Sequence, residues 1–221
     1  MSADLPLEYI SVEPDVQHDG QAPAIILLHG RGATEEDLLP LAQQMPGDMH
    51  ILSFRGPISL GPGYTWYELD LSGGGLHASQ PDMADFNESL TILGQSIDQA
   101  VDVHNLDPER IGLLGFSQGA ILSMSAMVER PTTYAWVVAL HGYLPETYDT
   151  GDISPASDTP VFIGAGEGDQ IIPVTRAEQA ATRLTDAGLD VTFRSYNIGH
   201  GTSPAEVTDV REWLLAHADI T

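Results

Sequence analysis

Ala24-Ile25-Ile26-Leu27-Leu28 is the stretch that most narrows the fold, because five apolar residues without alternation fit a strand covered on both faces. A strand of that kind belongs to a parallel sheet. Short runs at Arg110–Leu114, Tyr134–Leu140 and Val161–Ala165 read the same way, and Leu7–Val12, His50–Phe54 and Val191–Tyr196 complete the set of strands, the first as an edge. Helical patterns fall between them. Thr34-Glu35-Glu36-Asp37 supplies an N-cap and acidic first turn for a helix through about Met45; others are predicted over Met83–His104, from Ala120, over Val174–Ala187 and over Pro204–Ala216. Alternating strands and helices predict an α/β fold with a mostly parallel, helix-covered sheet, in one domain spanning residues 1–221. Ile58–Asp82, rich in Gly and Pro, reads as a long surface excursion over the site, and Glu146–Thr159 as a polar connection.

Gly115-Phe116-Ser117-Gln118-Gly119 lies between the Arg110–Leu114 run and a helix, so its serine sits on a tight strand-to-helix turn. The glycines let strand and helix approach closely while the Ser117 hydroxyl projects outward, and the following helix aims its free N–H groups at the same place. A G-x-S-x-G alone is a common small-residue turn. The strand before and helix after are what make it read as a nucleophile elbow.

Composition excludes several function classes. Cysteine is absent, which removes disulfides, thiolate metal sites and a cysteine nucleophile. Asp and Glu number 32 against 8 basic residues, all of them arginine, for a formal net charge of −24. Such a surface repels nucleic acid and anionic membranes, and regular apolar periodicity argues against disorder. Adaptation to molar salt, where the Debye length falls to about 3 Å and the self-repulsion is screened, is the expected reason for the acidity. Met1–Asp15 has neither a basic start nor an apolar core, and no stretch is long enough to span a bilayer, which predicts a soluble cytoplasmic protein.

Polar residues at the carboxyl ends of the strands are the informative ones, because ligands bind there in open α/β sheets. Ser117, Asp169 and His200 all fall at that edge, in the order nucleophile, acid, base. The serine attacks, a neutral imidazole takes its proton, and the carboxylate fixes the imidazole tautomer. Asp149, Asp152 and Asp158, the competing acids, lie in a polar stretch and read as solvated charges. Among the histidines, His141 follows a strand and could donate a hydrogen bond near the site, His29 reads as structural, and His18, His50, His104 and His217 read as surface or turn residues. The backbone N–H groups of Gln118 and Arg31 are the expected donors to a tetrahedral oxygen, Arg31 from the His29-Gly30-Arg31-Gly32 loop.

The chain resembles the phospholipase/carboxylesterase group of α/β hydrolases over nearly its whole length. The resemblance rests on Leu28-His29-Gly30-Arg31-Gly32, Arg55-Gly56-Pro57 with Gly63-Tyr64-Thr65-Trp66-Tyr67, the Ser117 elbow, Gly166–Pro173 and Gly199-His200-Gly201. It implies an α/β-hydrolase fold and a serine hydrolase of short- to medium-chain esters or thioesters that uses no cofactor or metal, with Trp66 and Tyr67 near the acyl pocket. His141 departs from the small residue expected in the related block, which bears on pocket polarity. A protein or lysophospholipid deacylase and a non-catalytic binding protein of the same fold are the alternatives. The expected partner is a small-molecule ester, with no membrane insertion; the oligomeric state is left open, a homodimer included.

Overall fold

The computed structural model describes residues 5–15, 20–147 and 158–218. The apolar runs form a seven-stranded sheet from β1 (Tyr9–Val12), β2 (Ala22–Leu28), β3 (His50–Phe54), β8 (Leu106–Phe116), β9 (Trp136–Leu140), β10 (Val161–Gly166) and β11 (Val191–Tyr196). Their spatial order is β1-β3-β2-β8-β9-β10-β11, with β1 antiparallel at one edge and every other pairing parallel. This is the mostly parallel, helix-covered sheet of an α/β hydrolase.

The unbroken apolar run in β2 serves two cores at once. Ala24, Ile26 and Leu28 join one, and Ile25 and Leu27 join the other. Strands β9 and β10 divide in the same way, Val137, Ala139 and Ile163 against Val138, Leu140 and Phe162. Helices α2 (Met83–His104), α3 (Gln118–Glu129) and α4 (Val174–Asp186) cover the first face; α1 (Leu39–Ala42) and α5 (Pro204–His217) cover the second. Burying each such Leu or Ile contributes about 1.5–3 kcal/mol, so the two cores together fix the sheet edge from which the site is built. Helix α2 has clear ends: Asp82 caps Ala84 N and Asp85 N, and Asn105 closes it at φ 52°.

Three expectations change. The helix predicted from Thr34 to Met45 shrinks to Leu39–Ala42, flanked by three-residue turns such as Asp37 N to Thr34 O and Met45 N to Ala42 O. Pro40 has no N–H to close a helical bond, so the segment keeps its buried face, Leu38, Leu41 and Met45, in tighter turns. The Ile58–Asp82 excursion is two small hairpins, β4 (Ile58–Leu60) with β5 (Gly63–Thr65) and β6 (Leu69–Asp70) with β7 (Gln80–Pro81), carrying a 3-10 turn at Leu76–Ala78. His50, read as a surface or turn residue, is buried in β3, and its Nε2 lies 2.7 Å from Ser11 Oγ across the β1–β3 pair.

Candidate active site

Ser117 joins β8 to α3 as the residue between them, with φ 55° and ψ −115°, a conformation a non-glycine residue holds only when its surroundings enforce it. They do so here: Ser117 N donates to Leu140 O at 2.9 Å, and a Cβ on Gly119 would overlap the backbone of Leu28. His200, on the loop after β11, places Nε2 2.9 Å from Ser117 Oγ. Its Nδ1 lies 2.6 Å from Asp169 Oδ2. Asp169, on the loop after β10, is held by Ile171 N and Ile172 N, which donate to Oδ1 at 2.8 and 2.9 Å. Burial raises the Asp169 pKa, but the hydrogen bonds from His200, Ile172 and Ile171 outweigh it and leave the carboxyl below its ordinary value. A serine, an imidazole and an ionised carboxylate thus stand in one hydrogen-bonded line.

The serine opens on a cavity of about 300 Å³. Gly30, Arg31, Gln118 and Phe116 line it around Ser117, and Tyr67, Leu69, Leu76, Ile121, Ile171 and Ile172 give it an apolar wall. Arg31 pairs its guanidinium with Glu68 at 3.4 Å. Trp66 and His141 are fully buried and do not line the cavity. Trp66 sits behind the Arg31 loop, its Nε1 donating to His29 O at 2.9 Å. Tyr67 does line the cavity, with a buried hydroxyl that has no hydrogen-bond partner among the described residues. His141 lies behind Asp169, Nδ1 3.3 Å from Oδ2.

The other titratable residues weighed from sequence fall elsewhere. Asp149, Asp152 and His18 lie outside the described residues, Asp158 is exposed, and His217 stacks on Trp213 at a ring separation of 4.8 Å. His104 bonds Tyr9 OH at 3.1 Å. His29 is buried and closed in by backbone groups: Gly56 N donates to Nε2 at 3.0 Å and Nδ1 faces Gly30 O at 2.7 Å.

Two contributors escaped the sequence reading. The Gln118 side chain grips residues 65–67, with Oε1 accepting from Thr65 Oγ1 at 2.7 Å and Trp66 N at 3.2 Å, and Nε2 donating to Tyr67 O at 2.9 Å. It locks the excursion onto the elbow. Glu206, in the first turn of α5, is fully buried and faces His141. Its spacing from Ser203 signals a helix start, and nothing in that pattern points the carboxylate inward.

His141, Asp169 and His200 bring ligand atoms within 4.8 Å of one another, the cluster among the described residues that could hold a metal ion. The direct His200–Asp169 hydrogen bond leaves no space for an ion between them, and a metal on Asp169 Oδ2 would displace that bond. The geometry fits proton transfer to and from Ser117.

Comparisons with known proteins place the chain in a family. The sequence model described as Phospholipase/Carboxylesterase matches residues 11–218. Acyl-protein thioesterase 1 of Cryptococcus neoformans is 26% identical, with 95% of this chain and 97% of that protein aligned. The crystal structure of the Bacillus cereus carboxylesterase superposes with a TM-score of 0.84 at 26% identity, covering 96% of this chain and 94% of that one. A carboxylesterase from Mesorhizobium loti shares the fold, with a TM-score of 0.83 at 22% identity over 96% of each chain. This chain belongs to the phospholipase/carboxylesterase family of α/β hydrolases and is a carboxylesterase-type hydrolase.

Proposed function

We propose that the chain hydrolyses short- to medium-chain carboxylic esters through an acyl-enzyme on Ser117. His200 Nε2 takes the hydroxyl proton as Ser117 Oγ attacks the acyl carbon, then passes it to the leaving alkoxide. Asp169 holds the Nδ1–H tautomer and balances the imidazolium. The backbone N–H groups of Gln118 and Arg31 stabilise the tetrahedral oxygen, each worth about 3 kcal/mol of barrier by analogy with a measured donor. Water, deprotonated by His200, then releases the acid. These steps draw only on the chain's own groups and water. The observation that carries the reading is the unbroken line from Ser117 Oγ through His200 to Asp169 at the mouth of an apolar cavity.

Leu69, Leu76, Ile121, Ile171 and Ile172 form the acyl wall, Tyr67 adds the face of its ring, and a cavity of about 300 Å³ suits short to medium chains. Trp66 serves the pocket from behind, by holding the His29 carbonyl. The name of the Cryptococcus relative favours a second reading, in which the leaving group is a thiolate and the same residues act on acyl thioesters. The net charge of −24 directs either activity toward neutral substrates in a salty cytoplasm rather than toward anionic lipid. Among the described residues no helix is long and apolar enough to cross a membrane.

The test is turnover of p-nitrophenyl esters and matching acyl thioesters of graded length, with Ser117→Ala alongside. The variant should lose about 10⁴-fold or more in kcat, since triad members act as a unit. Equal turnover by both proteins would remove Ser117 as nucleophile, and the ratio of ester to thioester rates decides between the two readings.

A further inference from the structure

Behind the proposed triad lies more buried charge than that triad requires. Glu206 occupies the third position of α5, and its backbone N–H is capped by Ser203 Oγ at 3.2 Å. In a capping box the glutamate side chain would reach back to the N-cap amide. Here it turns into the sheet instead, into space that Gly164 on β10 leaves and that a Cβ there would fill. Both Glu206 oxygens stand 3.4 Å from His141 Nε2, and Oε1 accepts no hydrogen bond. The opposite ring nitrogen, Nδ1, faces Asp169 Oδ2 at 3.3 Å. The His141 and Glu206 side chains are 0% exposed and that of Asp169 1%.

A neutral imidazole carries a single N–H. If it served Asp169, the bare Nε2 would point its lone pair at the Glu206 carboxylate in a medium where uncompensated charge is costly. An imidazolium satisfies both. We propose that His141 is held as an imidazolium between Asp169 and Glu206 and acts as a positioning residue, its Nδ1–H giving Asp169 Oδ2 a second donor beside His200. Glu206 is the counter-ion that keeps this ring charged. The inference rests on the reading of Ser117, His200 and Asp169 as the reacting triad.

The groups facing the ring are Asp169 from the loop after β10, Glu206 from α5, His200 from the loop after β11 at a ring separation of 5.7 Å, and the uncharged Phe116 ring at 5.4 Å. Burial works against the charged ring, but Glu206 and then Asp169 outweigh it and raise the imidazole above its ordinary value of 6.5. The backbone supports the placement, since His141 adopts φ 56° and is fixed by its N–H to Gly164 O at 2.8 Å. The charge balance has a catalytic meaning. At rest, one positive ring between two carboxylates leaves a net −1, and protonation of His200 in the transition state brings the cluster to zero. The second donor also tempers the pull of Asp169 on His200.

The first test uses the wild-type protein with ¹⁵N-labelled histidine. At about pH 8, well above an ordinary imidazole value of about 6.5, one of its eight rings should still be protonated on both nitrogens. A spectrum without such a ring, His141 being protonated on Nδ1 alone and Glu206 carrying the other proton, overturns the proposal. The second test is Glu206→Gln, whose amide can donate to Nε2 and leave a neutral ring. That variant should lose the doubly protonated signal and shift the acidic limb of kcat/KM for p-nitrophenyl acetate upward by about half a pH unit or more, because the cation nearest His200 is gone. A limb that stays in place or moves to lower pH overturns the role of Glu206. Failure of the hydrolase reading looks different: wild-type protein that turns over no ester, whatever its histidine spectrum shows.

Discussion

His29 and His141 stand in the same local sequence, Leu-His-Gly, each directly after a central parallel strand and each buried. The ring nitrogens of His29 are met by backbone groups. Gly56 N donates to one ring nitrogen and Gly30 O faces the other, a set that a neutral imidazole satisfies completely, and burial holds its pKa below the ordinary value. His141 is met by two carboxylates brought from α5 and the loop after β10, and its pKa is raised. The tripeptide and the strand are common to both. Segments 28 and 65 residues away in the chain decide which ring is neutral and which is charged.

The largest break in this comparison should come from replacing each ring with leucine. His141→Leu leaves Asp169 and Glu206 buried without their cation and should cost about 3–5 kcal/mol in urea unfolding. His29→Leu strands the Gly56 amide and the Gly30 carbonyl and should cost about 1–3 kcal/mol. Equal losses would erase the distinction.

The pH dependence of stability sharpens it further, with opposite signs. For His141, the folded value lies above the unfolded value of about 6.5, so its contribution is complete below that pH and is lost as pH rises through the folded value. For His29, the folded value lies below, so its contribution is present above about pH 6.5 and is lost as pH falls toward the folded value. Unfolding free energies measured from acid to alkaline pH should therefore flatten on the alkaline side in a His141→Gln protein and on the acid side in a His29→Gln protein. Each slope is bounded by about 1.4 kcal/mol per pH unit for one group.

The smallest effect expected is that of salt on the difference between the two sites. Molar KCl should raise the melting temperature of every variant by screening the surface charge, while changing the gap between the His141→Leu and His29→Leu proteins by less than about 0.5 kcal/mol, since buried pairs are little screened. A wild-type melting point that does not rise with KCl counts against adaptation to salt.

What could be read in advance follows the same division between local pattern and remote partner. The Met83–His104 helix and the Val191–Tyr196 strand were legible to the residue, because period and end signals are local. The order Ser117, Asp169, His200 and their places after strands were legible for the same reason. The inward turn of Glu206, the burial of His50 against Ser11 and the three-way grip of Gln118 were not, since each depends on a partner from a distant strand or loop. Tyr67 and Trp66 were read together as pocket residues, yet only Tyr67 lines it; Trp66 is instead taken up by its bond to the His29 carbonyl.

The Gln118 amide group fastens residues 65–67 to the elbow, while Leu69, Leu76 and Ser79 reach the cavity from the next hairpin. Under the proposed function the scaffold is therefore modular: edits at residues 69–79 reshape the cavity wall, while one glutamine holds residues 65–67 beside Ser117 independently of them.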